Sequence, residues 1–297
     1  MHRFSLTILA MILMVAVAAV ALDEEAIERA DALYDEDRPD EAIVLLESLL
    51  PTAAAGAERA EILWRLSRAT LSVGESMEDA DAETNAVLAT YEQGEQYAIE
   101  AVAADPDNHL GYYWQSANVG KWGQARGILN ALFRAGPMRD LLRQAIEKAP
   151  EHAGSYYVLG QLYAQVPGII SFGNNDYAVS LARQSIDLHE AEYAAGVADE
   201  VEHDYYIQLA SHLIDRNWNA RRRAREQQNK VRSYERTSDP LERGWYYEGT
   251  IAISDESDRG EAERLLRDMI RRLEAITDRS DGQERQLERA RELKAGL

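Results

Sequence analysis

Pro106 and Pro150 each close an amphipathic segment, and each stands six residues ahead of a tyrosine pair, Tyr112-Tyr113 and Tyr156-Tyr157. A helix that ends at a proline and a next helix that opens on paired aromatics form a unit that cannot bury its apolar face alone. Such units are stable only when stacked, at a period of roughly 34 residues. In the second unit Tyr156, Leu159, Gly160 and Tyr163 follow the order aromatic, large aliphatic, small, aromatic. The small residue admits a neighbouring helix while the other three fill the seam around it. Tyr112, Ser116 and Val119 occupy the equivalent places one unit earlier, so Tyr112 and Tyr156 read as core. Tyr113 and Tyr157, one step round the helix, are left free to face a partner.

The same pattern extends in both directions. Ala30, Leu33, Ala42 and Leu46 form the seam of a first unit, and Leu63, Leu66 and Ser67 begin a second with Trp64 beside them. Gly94, Ala98, Ala101 and Pro106 close that one. Residues 200–236 read as a degenerate pair, with Val201, Tyr205, Leu209 and Leu213 on one stripe. Ala262, Leu266 and Met269 mark the second helix of a late unit whose first helix is read across Trp245, Gly249 and Ala252. From about Gln283 only Leu287, Ala290 and Leu293 make an apolar line, which suits a polar-backed terminal cap. No sustained Val/Ile/Thr alternation marks a strand. The expectation is an all-α fold, a tetratricopeptide-like right-handed superhelix of antiparallel helix pairs, as one domain over residues 22–297. Insertions near residues 75–90, 120–136 and 165–175 interrupt the period, and such additions usually project from one, often binding, face.

The run Glu61-Ile62-Leu63-Trp64-Arg65-Leu66-Ser67-Arg68-Ala69, followed by an acidic insertion and the two proline-terminated units, resembles the regulator of microtubule dynamics proteins. It is also similar to the T-component of tripartite ATP-independent periplasmic transporters. The likeness covers roughly residues 57–190 and rests on repeat spacing. The transporter resemblance implies an oligomeric periplasmic partner of a solute-binding protein, with channels for an apolar ligand. A lipid-anchoring cysteine is missing, because the chain has 0 cysteines. That also rules out disulfides and thiolate metal sites.

The amino terminus bears on location. Met1-His2-Arg3 is basic, Phe4 to Val20 is almost wholly apolar, and Ala19-Val20-Ala21 is a small-x-small cleavage signal ahead of acidic Asp23-Glu24-Glu25. This reads as a signal peptide over residues 1–21, cleaved after Ala21, with periplasmic or secreted location and no membrane span afterwards; an uncleaved anchor is the alternative. The net charge of −20, from 52 acidic against 32 basic residues, repels phosphate backbones, so nucleic acid is not an expected partner.

Candidate binding residues follow from the aromatic pairs and the insertions. Tyr113, Trp114 and Tyr157 offer rings that give contact area with little entropy lost. In Gly120-Lys121-Trp122-Gly123, read as an interhelix connection, Lys121 and Trp122 supply a charge and an apolar plate. The segment from Pro167 to Asp176 contributes Phe172 and Asn174, with Asn175 or Asp176 expected to cap the next helix. Arg221, Arg222, Arg223 and Arg225 read as a solvated face making ion pairs, with a partner's carboxylate surface as the functional alternative. The 6 histidines form no HExxH arrangement, and neither a GxSxG turn nor a full phosphate loop occurs. No catalytic residue, metal site or cofactor is therefore assigned. The function expected is an exported scaffold for a protein partner, with a helical carrier of a small apolar ligand as the alternative.

Overall fold

A computed structural model of the protein describes residues 23–169, 171–198 and 202–297. The segment read as a signal peptide lies outside these residues, as do Val201 of the stripe and Ile170. Among the described residues the chain forms thirteen α-helices and no strand.

The helices follow in antiparallel pairs. α1 (Glu24–Asp35) packs on α2 (Pro39–Leu49), α3 (Ala57–Asp79) on α4 (Thr84–Ala104), α5 (His109–Arg126) on α6 (Ile128–Lys148), and α7 (Ala153–Gln165) on α8 (Asn175–Ala194). Their boundaries have local causes. Pro39 opens α2 where a missing N–H costs nothing, and the Asn108 side chain accepts from Leu110 N at 2.9 Å to cap α5. Between α5 and α6 the chain turns through Gly127 alone, at a φ of 106° that only glycine adopts readily.

Two of the three expected insertions are extra helix rather than loop. Residues 75–90 are the end of α3, a short turn and the start of α4, while residues 120–136 are the end of α5, Gly127 and the start of α6. The Gly120-Lys121-Trp122-Gly123 segment is thus helical and not a connection. Residues 165–175 do contain a loop, and the cap of the following helix is Asn174, whose side chain accepts from Asp176 N and Tyr177 N at 2.9 and 3.2 Å.

Beyond α8 the order changes. α9 (His203–Arg216) pairs with α12 (Asp258–Glu274), not with the helix that follows it. Residues 217–257, which include α10 (Ala220–Arg236), α11 (Pro240–Tyr246) and a 3₁₀ turn (Tyr247–Gly249), form an excursion inserted within that pair. This corrects the reading of 200–236 as one hairpin and of Trp245–Ala252 as the first helix of the last unit. Apolar stripes decide the pairing: Ile207, Leu209, Ala210 and Leu213 of α9 and Ala262, Leu266, Met269 and Leu273 of α12 bury one another, whereas α10 buries only Arg223 and Lys230. α13 (Asp281–Ala295), opened by a Ser280–Gln283 capping box, lays Leu287 and Ala290 on the same cluster. The core is accordingly a chain of adjoining clusters, one over α1 to α5, one over α5 to α8 and one over α8, α9, α12 and α13.

Candidate functional site

The first helices of successive pairs share one face. On α5 the residues Tyr113, Ala117, Lys121 and Gln124 recur at helical spacing; on α7, Tyr157, Gln161 and Gln165 do the same, and α3 adds Leu71 and Glu75. Together with Asp204 and Tyr205 of α9 and Arg285, Gln286 and Arg289 of α13 they line a half-open groove of about 770 Å³. The paired tyrosines explain how one helix serves both core and groove. Tyr156, Leu159 and Tyr163 turn inward and are almost fully buried, while Tyr157 turns out to the groove. Tyr112 departs from this rule. It is half-buried at the surface, its hydroxyl donating to Pro106 O at 3.2 Å and the Lys148 ammonium 5.6 Å from its ring.

The groove walls are tied from behind. Tyr157 stacks on Tyr205 with ring centroids 4.4 Å apart, and its hydroxyl donates to Asp204, which also accepts from Arg289 Nη1 at 2.8 Å. Burial first, then the Asp204 charge, push the Tyr157 hydroxyl well above the usual tyrosine range. Burial likewise raises Tyr113 and Tyr205. Gln161 Nε2 donates to Gln208 Oε1 at 3.1 Å, and Gln208 Nε2 donates to Tyr157 O at 2.9 Å. Lys121 pairs with Glu75, and Arg285 pairs with Asp79 at 3.1 Å.

These facts define what the groove can do. Burial keeps its tyrosines protonated at neutral pH, while Lys121 pairs with Glu75 and Arg289 with Asp204. Among the described residues no group of His, Asp or Glu is arranged to hold a metal. What the surface offers is ring area interleaved with amides, chemistry suited to holding a polypeptide.

Of the seven residues singled out from sequence, the fold brings Tyr113, Trp114, Lys121 and Tyr157 into this groove. Trp122 faces elsewhere: its indole donates to Glu92 at 2.9 Å and Arg134 lies 4.1 Å over its ring. Phe172 packs edge-on to Tyr163 at 5.4 Å beneath Arg139, outside the groove. Asn174 is occupied as the α8 cap and lines a separate surface hollow with Asp215 and Arg222. The sequence reading misses Gln161 and Gln165, although they lie one and two turns beyond Tyr157 on the same helix face. Tyr205 reads from sequence only as part of an apolar stripe, and Arg285 and Arg289 carry no local signal, because only closure of the array brings α9 and α13 to the groove.

A family model described as regulator of microtubule dynamics protein 1-3 matches residues 26–169. Regulator of microtubule dynamics protein 1 of Bos taurus is 30% identical over 149 residues, which is 50% of this chain and 44% of that protein. The Pongo abelii protein of the same name is 29% identical over 154 residues, 51% of this chain and 46% of that one. The chain spans about half the length of the curated relatives it matches. Among solved structures it is similar to a thermophilic TPR protein of Thermus thermophilus, with TM-score 0.48 and 17% identity over 77% of this chain and 99% of that one. A MamA RS-1 ArsTM double mutant gives a TM-score of 0.42 and 12% identity over 82% and 94% of the two chains. From α1 to α7 the chain is therefore related to the regulator of microtubule dynamics proteins, and α8 to α13 lie beyond that match.

Proposed function

We propose that this relative of the regulator of microtubule dynamics proteins is a non-catalytic scaffold that takes an extended segment of a protein partner in its concave groove. One observation carries the reading: four rings, Tyr113, Trp114, Tyr157 and Tyr205, and three amides, Gln124, Gln161 and Gln165, converge on a single groove from successive helix pairs. Rings supply rigid contact area, and amides can match the donors and acceptors of a peptide backbone. A photo-crosslinking residue at Gln161 tests this. Adducts at Gln161 that are absent when the probe sits at exposed Arg267, outside the groove, support it, and equal labelling at both positions overturns it.

The finer reading is an exported accessory of a solute-binding protein. It rests on the basic-then-apolar amino-terminal segment and the transporter resemblance. Cell fractionation with amino-terminal sequencing tests it, and an intact Met1 in the cytoplasmic fraction counts against it. The relatives' name supplies a different partner, and co-sedimentation with polymerised tubulin decides between the two. A small-ligand carrier is the remaining reading, favoured by Leu71, Met138, Val158 and Leu162 on the groove floor. A lipid-like adduct retained in native mass spectrometry would move the assignment to it.

A further inference from the structure

α10 is attached to the body of the protein by ions. Its two buried side chains, Arg223 and Lys230, lie seven residues apart on one face. Arg223 reaches Asp258 at 3.2 Å and also Glu261, while Lys230 reaches Asp176 at 2.6 Å and Glu248 at 2.8 Å. On the opposite face Arg221, Arg225, Arg232 and Arg236 recur at steps of four, seven and four, which at about 100° per residue confines them to an arc of roughly 60°. All four are exposed. Arg225 pairs with Glu226, and among the described residues Arg221 and Arg236 pair with no carboxylate. The helix holds seven cations against two carboxylates, Glu226 and Glu235.

The excess negative charge sits elsewhere. Residues 203–297 are balanced, with 19 acidic and 19 basic side chains, so the whole net charge of −20 belongs to residues 1–202. Its largest folded share is the α1–α2 hairpin, where residues 23–49 carry 11 carboxylates against Arg29 and Arg38, nearly all exposed. No ion pair among the described residues joins α10 to that hairpin within one molecule. At about 1.5 Å per residue α10 is roughly 25 Å long and the helices of the hairpin are about 17–18 Å, so the two surfaces are commensurate.

We propose that the arginine ridge of α10 docks on the acidic α1–α2 hairpin of a second copy of this chain, head to tail. The occupant is identified by charge: the chain itself carries the surface that complements the ridge. Two different patches meet in such a contact, so each molecule keeps one free end and can add a further copy. Pairs between exposed side chains mainly set rate and orientation and fade beyond about 8 Å in physiological salt, so the association is weak and salt-sensitive. The buried ions behind the ridge hold it at a fixed angle for docking.

Sedimentation equilibrium of the full chain over a range of concentrations tests the proposal. At about 0.02 M salt the average mass should rise with concentration, and at about 0.5 M it should return to that of the monomer. The variant R221E/R225E/R232E/R236E should associate at least about tenfold more weakly, with an unchanged circular dichroism spectrum. The variant E25K/E28K/D40K should show the same loss from the other side. Mixing the two variants should restore a heterodimer, because each retains one native patch. A constant monomer mass at low salt, association insensitive to salt, or association that survives either set of substitutions would overturn it. An acidic partner other than this chain is what the first of those results would indicate.

Discussion

Gly94 and Gly160 both lie where two helices cross, yet they constrain the fold differently. A Cβ on Gly94 would overlap the side chain of Asn118, which is fully buried and donates to Ser67 Oγ at 3.0 Å and to Trp114 O at 3.0 Å. Ser67 Oγ in turn donates to Gly94 O at 2.8 Å, so α3, α4 and α5 meet in one polar knot. A Cβ on Gly160 would stand 3.4 Å from Ala178 O, an ordinary contact. Gly94→Ala should cost about 1–3 kcal/mol through overpacking, whereas Gly160→Ala should be neutral or gain up to about 1 kcal/mol from helix propensity. Urea midpoints of the two variants check the opposite signs. Repeat spacing located both glycines, but it could not rank them, since the tighter one is decided by Asn118 on another helix. His212 shows a second effect of burial. Burial, then Arg289, hold its imidazole down to about 3, against about 6.5 in an unfolded chain. Below pH 6.5 the unfolded state takes up a proton that the native state refuses, so stability falls with pH until about 3. At pH 5 the loss is about 2 kcal/mol, and His212→Gln should shrink the difference in unfolding free energy between pH 7 and pH 5 by that amount. An equal difference in the variant would show that His212 is not the source.

Among the elements, α10 departs furthest from what its sequence led one to expect. The run from Arg221 to Arg225 reads as a solvated face, yet Arg223 is 2% exposed and among the largest fully buried side chains of the protein. The signal was present in the spacing: Arg223 and Lys230 fall on the face opposite Arg221, Arg225, Arg232 and Arg236, which marks an inward ionic stripe. Their partners could not be read, because Asp176 arrives from α8, Glu248 from the 3₁₀ turn and Asp258 and Glu261 from α12. Arg183 and Arg216 complete the network with Glu248 at 2.9 and 2.7 Å. Burial alone would raise the Glu248 carboxyl, but Lys230, Arg216 and Arg183 outweigh it and hold the group well below the usual carboxylate range. Its contribution is present above about pH 4.5 and fades only below that, so between pH 6.5 and pH 4.5 the His212 effect stands apart from it. Removing the charge leaves the four buried cations Arg183, Arg216, Arg223 and Lys230 with three carboxylates, Asp176, Asp258 and Glu261, so one positive charge is uncompensated. Glu248→Gln should therefore destabilise the protein by about 3–5 kcal/mol, while Arg225→Gln on the outer face should change it by less than about 0.5 kcal/mol. Chemical denaturation at pH 7 separates the two, and comparable losses would mean that the buried network does not hold α10.

At the scale of the whole molecule, the array returns toward its own beginning. In a strict stack each unit touches only its neighbours, yet Arg285 of α13 pairs with Asp79 at the end of α3, while Arg289 and the Tyr157 hydroxyl share Asp204 of α9. The sequence reads the apolar line of α13 from Leu287 and Ala290, which are 2% and 0% exposed. Its second role, as a groove wall, depends on curvature accumulated over all the preceding pairs, which no local pattern records. The two contacts differ in weight. The Arg285–Asp79 pair is more than half exposed on both sides, so Arg285→Ala should cost less than about 0.5 kcal/mol. Deleting residues 281–297 instead uncovers the cluster of Ile207, Leu213, Leu266 and Met269, against which Leu287 and Ala290 pack. Because neighbouring clusters carry most of the stability, that truncation should leave amide hydrogen exchange in α3 to α7 nearly unchanged. Exchange in α9 and α12 should speed up by orders of magnitude as the last unit opens locally. Global unfolding of the truncated chain, with protection lost evenly from α1 onward, would instead mean that the return contact closes one cooperative ring rather than capping a linear stack.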